Sequence, residues 1–167
     1  MELYLLRHGD AGDHFLSPTQ DNARQLTEEG IEKTRAVVKA LRAMKCTPPD
    51  AFLVSPLTRA HQTMEIAREE LAPKAPIHET KALLPGTEME VTMSQVAKLF
   101  EDYSTLMLVG HEPHLSSFAS AVLTGTTRQV IEMKKSSLAH ISIVQVDSLR
   151  MRGYLRMLIP PKVHHLS

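Results

Sequence analysis

Short apolar runs alternate along this chain with longer segments whose apolar residues recur at helical spacing. Runs of four or five apolar residues that stop at a glycine, a proline or a charged residue are typical of buried strands leading into turns. The predicted strands of this kind are 3–6, 51–54 and 105–109. A weaker strand is predicted at 76–79, and the β-rich segments 138–146 and 153–159 form a hairpin or a final pair of strands.

The first helical segment begins at Thr27, which can serve as its N-cap, and runs to about Lys45. Pro48-Pro49 follows and stops it. Its inner face is predicted to carry Ile31, Val37, Val38, Leu41 and Met44.

A second helix is predicted from Ser55-Pro56 to Leu71, because serine as N-cap and proline at the first helical position form a strong start signal. Two further helices are predicted at 91–103 and at 113–123, the second with Pro113 in its first turn. Polar segments at 10–22 and 81–88 are predicted to be loops. This alternation of strands and helices favours an α/β sandwich with a mostly parallel sheet and an irregular or antiparallel edge.

Composition narrows the class of protein. A chain of 167 residues is expected to form one domain, 1–167, with a substantial core. Lys+Arg and Asp+Glu both total 19, so no global field recruits nucleic acid or an anionic membrane. The single cysteine, Cys46, suits a reducing compartment, and no run is long enough for a membrane helix or a signal peptide. We therefore expect a cytoplasmic enzyme or binding domain.

Candidate chemistry follows three of the predicted strands. Their turns carry Arg7-His8, Ser55-Pro56 with Arg59 one turn later, and Gly110-His111. In a parallel sheet these ends share one edge, where helix N-termini add free N–H groups. Two histidines, two arginines and helix dipoles suit a phosphate, and neighbouring arginines would keep a histidine neutral and nucleophilic. No metal or other cofactor is required, since the cations would stabilise the transferred phosphoryl group.

These residues also lie in motifs that resemble a known family. Leu6-Arg7-His8-Gly9 resembles the signature of the histidine phosphatase superfamily, whose first histidine is phosphorylated. The segments 55–63 (SPLTRAHQT) and 109–113 (VGHEP) are similar to its second and third motifs. The segment 24–30 (RQLTEEG) resembles a further motif of the small phosphohistidine phosphatases of SixA type. The motifs follow the family's order from residue 3 to about residue 115.

The resemblance implies a phosphoglycerate mutase-like fold, a three-layer α/β/α sandwich around a six-stranded, mostly parallel sheet with one antiparallel strand. It also implies a phosphohistidine intermediate on His8, with Arg7, Arg59 and His111 around the phosphate. The SixA-type motif adds Arg24 as a phosphate ligand. The subgroup suggests protein phosphohistidine as the substrate, as in a phosphorelay, and the short chain predicts an open site that a phosphorylated protein can approach.

One departure from the family concerns the general acid. Many larger relatives carry a glutamate in a Leu-x-Glu pattern before a glycine, whereas here Ala82 stands at the comparable place. Glu79, Glu88 and Glu90 lie nearby but out of register, and they are the only candidates for the role. An imidazole leaving group needs less protonation than an alkoxide, so the missing acid favours a P–N substrate.

Two alternatives remain open at this stage. The substrate could be a small phosphate ester or a nucleotide, or the chain could be a non-catalytic module that binds phosphoproteins.

Neither the other histidines nor the basic residues of the C-terminal part require a function. His61 is predicted to be structural, and His164-His165 to be a tail feature. His114 is predicted to be exposed, with a place at the rim of the pocket as the second possibility. A metal cluster of Asp10, Asp13 and His14 is rejected. Three methionines are predicted to pack in the core, namely Met44, Met64 and Met107. The basic residues of the C-terminal part are predicted to form a solvated surface, with docking of an acidic partner as the second possibility; they are Lys134, Lys135, Arg150, Arg152 and Arg156.

Overall fold

A computed structural model of the chain describes residues 1–13, 17–147 and 149–162. Its strands are β1 (Glu2–Arg7), β2 (Ala51–Val54), β3 (Ile77–Glu79), β4 (Thr105–Gly110), β5 (Leu138–Val146) and β6 (Met151–Ile159). Its helices are α1 (Pro18–Asn22), α2 (Glu28–Ala43), α3 (Thr58–Leu71), α4 (Met89–Leu99) and α5 (His114–Thr124), with a 3-10 turn at Lys81–Leu83. Every predicted strand and helix is therefore present.

The six strands form one sheet in the order β3-β2-β4-β1-β5-β6. The pairs β1–β4, β2–β4 and β2–β3 are parallel, and β5 is antiparallel to both β1 and β6. This confirms the mostly parallel, six-stranded sheet with one antiparallel strand. Leu6 and Val54 both pair with Val109, so the turns after these three strands leave the sheet side by side.

Helices cover both faces of the sheet, which explains why successive residues in the middle of its central strands are apolar. Leu3 and Leu5 of β1 pack with α4 and α5 in one core cluster. Tyr4 and Leu6 pack with α2 and α3 in a second cluster on the opposite face. The three-layer α/β/α sandwich is thereby confirmed.

The buried face of α2 differs in part from the predicted one. The side chain of Thr27 accepts a hydrogen bond from the Gly30 amide, as expected of an N-cap, and Val37, Val38 and Leu41 are buried. The predictions for Ile31 and Met44 are wrong, since they expose 38% and 52% of their surface. The contact face passes instead through Gly30 and Thr34, and Met44 lies beyond the last helical residue.

Helix starts were predicted less well than strands. The helix α3 begins at Thr58 with Leu57 as N-cap, and α5 begins at His114 with Pro113 as N-cap. Ser55 therefore lies two residues before the N-cap of α3, and its hydroxyl contacts the Leu57 amide at 3.4 Å and Nε2 of His111 at 2.7 Å. The segment 10–22, predicted to be a loop, contains the short helix α1. Met64 and Met107 are buried as predicted.

Candidate active site

His8 lies in the turn directly after β1, and one hydrogen bond fixes its chemistry. Its Nδ1 lies 2.7 Å from the carbonyl oxygen of Gly9. A carbonyl oxygen only accepts hydrogen bonds, so Nδ1 carries the ring hydrogen and Nε2 of the neutral imidazole keeps its lone pair. Nε2 is therefore the atom of His8 that can act as a nucleophile.

The surroundings of His8 keep its ring neutral. Burial lowers the pKa of His8 to about 4, and the charges of Arg59, Arg7 and Lys135 act in the same direction, against the hydrogen bond to Gly9. The turn that carries the ring is fixed to α3, because the Gly9 amide donates to Oγ1 of Thr63 and that hydroxyl donates to the carbonyl of Arg59. At neutral pH the imidazole is therefore unprotonated, and its position is fixed.

His111, which follows β4, faces His8 across the site. The centroids of the two rings are 5.0 Å apart. Nε2 of His111 is hydrogen-bonded to the Ser55 hydroxyl at 2.7 Å, and Ser55 follows β2. Burial lowers the pKa of His111 to about 3, with smaller contributions from His8, Arg59 and Arg7. Two neutral imidazoles therefore lie side by side among arginines.

Arg7 and Arg59 are each tied to the backbone. Nη1 of Arg7 donates to the carbonyl of Met133 at 2.8 Å, and Nη1 of Arg59 donates to the carbonyl of Asp21 at 2.9 Å. Burial lowers the pKa of both guanidinium groups. Each arginine is thereby oriented by a contact that leaves other N–H groups of its fork for a ligand.

Three side-chain nitrogen atoms of these residues share one property. Nε of Arg7, Nε of Arg59 and Nδ1 of His111 are buried, and within the described residues none of them has a hydrogen-bond partner. Buried polar atoms are normally satisfied, so a cluster of unsatisfied ones marks a place where a ligand supplies the partners. Donors carried by two cations suit an anion with several oxygens.

Arg24 is connected to this cluster through Asp21. Nε of Arg24 donates to Oδ1 of Asp21 at 2.9 Å, and Oδ2 of Asp21 lies 3.6 Å from Nη2 of Arg59. Nη1 of Arg24 donates to the carbonyls of Ala11 and Gly12. The positive charge of Arg24 also lowers the pKa of Arg59, which places the two guanidinium groups close together. The structure thus brings together all five residues predicted from the sequence.

Comparison with known proteins identifies the family of this chain. The model of a family described as the histidine phosphatase superfamily (branch 1) matches residues 3–91, slightly more than half of the chain. An uncharacterized protein of Picosynechococcus sp. is 33% identical over 140 residues, which cover 83% of this chain and 82% of that protein. The chain belongs to the histidine phosphatase superfamily.

Within this superfamily the chain is similar to proteins of SixA type. The phosphohistidine phosphatase SixA of Escherichia coli is 26% identical over 128 residues, covering 76% of this chain and 77% of that protein. A structure of the protein histidine phosphatase SixA in complex with tungstate matches with a TM-score of 0.82 at 23% identity, over 96% of this chain and 97% of that one. The predicted SixA-type subgroup and fold are confirmed, and the class of activity is that of a phosphatase.

Several residues of this histidine phosphatase site were not predicted from the sequence. Asp21 joins two arginines, yet it lies in a segment that was predicted to be a polar loop. Its spacing of three residues from Arg24 was the available signal. Glu112, next to His111, accepts a hydrogen bond from the Ser116 amide at 3.0 Å, and burial raises the pKa of its carboxyl.

The three glutamates considered as general acids are not bonded to the site histidines and arginines among the described residues. Glu79 is exposed and pairs with His61, and Glu88 occupies the N-cap position of α4 without a capping hydrogen bond from its side chain. Glu90 lines a separate groove beside the β5–β6 hairpin. Among the described residues, none of the three has a hydrogen bond or an ion pair with the site histidines and arginines. Ala82, which stands at the family's acid position, is buried in the 3-10 turn.

The prediction that His114 is exposed is wrong. Only 5% of its surface is accessible, and its Nε2 is hydrogen-bonded to the Thr92 hydroxyl at 2.8 Å. Burial lowers its pKa, so it is a neutral residue of the core. The first turn of α5 points this ring towards α4, a contact that the sequence spacing does not reveal.

The structure describes Asp10 and Asp13 of the rejected metal cluster. Asp10 pairs with Lys135 rather than with Asp13, whereas His14 and His164-His165 lie outside the described residues. In the described ranges, no group of three or more His, Cys, Asp or Glu residues is arranged to hold a metal ion. No helix in those ranges is both long and apolar enough to cross a membrane.

Proposed function

We propose that this phosphatase removes phosphoryl groups from protein phosphohistidine through a covalent intermediate on Nε2 of His8. The observation that carries the proposal is the hydrogen bond from Nδ1 of His8 to the Gly9 carbonyl. It leaves Nε2 as the basic atom of a buried ring beside three buried nitrogen atoms that have no hydrogen-bond partner among the described residues. A nucleophile and an anion-binding cluster are thus present together.

In the first step, phosphoryl oxygens accept hydrogen bonds from Nε of Arg7, Nε of Arg59 and Nδ1 of His111. Nε2 of His8 attacks phosphorus, and the P–N bond of the substrate breaks with its electron pair going to the departing imidazole. In the second step, water attacks phosphorus, Nε2 of His8 leaves, and inorganic phosphate is released. Arg24 supports both steps by holding Asp21 and Arg59 in place.

The leaving group decides between the substrate classes. A phosphorylated imidazole can take up a proton from solvent on its other ring nitrogen and leave as a neutral molecule, so it needs no acid from the enzyme. An alkoxide of a sugar phosphate needs a positioned proton donor. The buried Ala82 and the outward contacts of Glu79 support the first class of substrate.

The shape of the site supports a substrate that projects from a surface. His8, Arg24, Arg59 and His111 each expose 6% of their surface or less. A histidine side chain can carry its phosphoryl group to these buried residues, while the rest of the substrate protein stays outside. A phosphorylated protein partner, a role in signalling and a cytoplasmic location follow from this proposal as predictions.

The test is to trap the intermediate and to compare substrates. Phosphoramidate labelled with ³²P should label the protein on a histidine, with an acid-labile and base-stable bond, and His8→Ala should remain unlabelled. His61→Ala is the matched control and should label normally. We expect higher kcat/KM for a phosphohistidine peptide than for sugar phosphates or nucleotides. Faster turnover of the esters would overturn the substrate class, and binding without labelling would indicate a non-catalytic module.

A further inference from the structure

A second concave surface, the lysine cavity, lies beside the candidate site and shares Arg7 with it. Its volume is about 510 Å³. Its walls come from the turn after β1, from α2, from the segment before β5 and from the segment after β6. Besides Arg7, its charged residues are Asp10, Glu29, Lys33, Lys134, Lys135 and Lys162.

Positive charge is in excess in the lysine cavity. Lys135 pairs with Asp10 and Lys33 pairs with Glu29, so the two carboxylates are both engaged. Lys134 and Lys162 are exposed, and neither has an ion pair in the described part of the chain. The chain as a whole has equal numbers of acidic and basic residues, so this excess is local. A concave surface with one sign of charge focuses its field and attracts groups of the opposite sign.

Hydrogen bonds fix the lysine cavity relative to the nucleophile. The Ser136 amide donates to the carbonyl of His8 at 3.1 Å, and the Arg7 amide donates to the carbonyl of Ser137 at 3.0 Å. The segment that carries Lys134 and Lys135 is therefore bonded directly to the end of β1. Because Arg7 lines this cavity as well as the candidate site, a molecule whose phosphoryl group contacts Arg7 can also contact the lysine cavity.

We infer that the lysine cavity receives carboxylate side chains of the protein that carries the phosphohistidine. The inference rests on the proposed function and adds a docking surface to it. Lysines on long flexible stems act as separate point charges, which suits several carboxylates on a protein surface better than the bidentate binding of one phosphate. The lysines also come from three chain segments, and the cavity volume of 510 Å³ is larger than a single small anion occupies.

Two synthetic phosphohistidine peptides test this inference. One carries four glutamates beside the phosphohistidine, and in the other these are glutamines. At low ionic strength we expect a kcat/KM for the glutamate peptide that is about tenfold higher, as complementary charges accelerate association. The double variant Lys134→Glu/Lys162→Glu should lose or reverse this preference. The double variant Lys74→Glu/Lys98→Glu has the same change of charge on exposed residues outside the cavity and should retain it.

Phosphoimidazole, which carries no carboxylate, separates the two proposals. If it is hydrolysed through labelled His8 and the peptides react equally, the docking inference is wrong and the proposed function stands. A preference for the glutamate peptide that survives in Lys134→Glu/Lys162→Glu also overturns the inference. It is likewise overturned if this double variant lowers kcat/KM more for a small bisphosphate than for the glutamate peptide. If phosphoimidazole is neither hydrolysed nor able to label His8, the proposed function itself fails. Added salt should reduce the native preference.

Discussion

The two site histidines differ in what holds their rings. His8 is bonded to a carbonyl oxygen, which only accepts, so its ring hydrogen stays on Nδ1. His111 is bonded to the hydroxyl of Ser55, which can donate or accept. When Ser55 donates to Nε2, the hydrogen of His111 lies on Nδ1, the buried atom that has no partner among the described residues. The first ring is suited to nucleophilic attack, and the second to donating a hydrogen bond to a phosphoryl oxygen.

Removing the Ser55 hydroxyl tests this division of roles. In Ser55→Ala the tautomer of His111 is no longer selected, so kcat/KM for phosphoramidate should fall about tenfold, equivalent to about 1.4 kcal/mol for one buried hydrogen bond. Covalent labelling should still occur, because His8 is unchanged. Ser104→Ala, at an exposed serine outside the site, is the control. Equal rates for both variants would show that Ser55 does not orient His111.

At the scale of elements, the turn after β1 is held against the start of α2. The Thr27 amide donates to the carbonyl of Asp10 at 2.9 Å, and the Thr27 hydroxyl caps α2 through the Gly30 amide. Backbone approaches backbone so closely here that a Cβ on Gly30 would lie 2.3 Å from the carbonyl oxygen of Asp10. Gly30 therefore lets the helix support the turn that carries His8.

Gly30→Ala should damage this support. Alanine favours a helix by about 1 kcal/mol over glycine, but the clash is with backbone and costs about 3 kcal/mol as overpacking. We expect a net loss of about 2 kcal/mol in the free energy of unfolding by urea, from these two opposing effects. Glu32→Ala, on the exposed side of the same helix, should change it by less than about 0.5 kcal/mol. A stabilised Gly30→Ala would contradict the close approach.

The distance along the chain between interacting residues decides which features the sequence predicts. Apolar runs and the polar turns after them are local signals, so the strands and the convergence of Arg7, His8, Arg59 and His111 could be predicted. The role of Asp21 depends on two arginines that the fold brings to it. Likewise, the bond between Ser55 and His111 joins the turns after two strands that are far apart in the chain. Contacts between distant segments decide these features, and periodicity does not contain them.

For the molecule as a whole, the site has a cost in stability that depends on pH. The native state keeps His8 and His111 neutral, with pKa values of about 4 and about 3, whereas unfolded histidines titrate near their ordinary value of 6.5. At neutral pH these rings are mostly unprotonated in both states, so the cost there is small. As the pH falls below 6.5, the unfolded chain binds protons that the native protein does not, and stability decreases.

The difference between wild type and His8→Gln isolates this effect for one ring. From pH 7 to pH 5 the free energy of unfolding of the wild type should fall by about 2 kcal/mol more than that of His8→Gln, because glutamine cannot bind the proton. Urea titrations in phosphate-free buffers measure both, since bound phosphate would add its own dependence on pH. His61→Gln, at a partly exposed histidine outside the site, should follow the wild type. If His8→Gln also falls in parallel with the wild type, then His8 is protonated in the native protein at pH 5, and the burial that keeps its Nε2 nucleophilic is not sufficient.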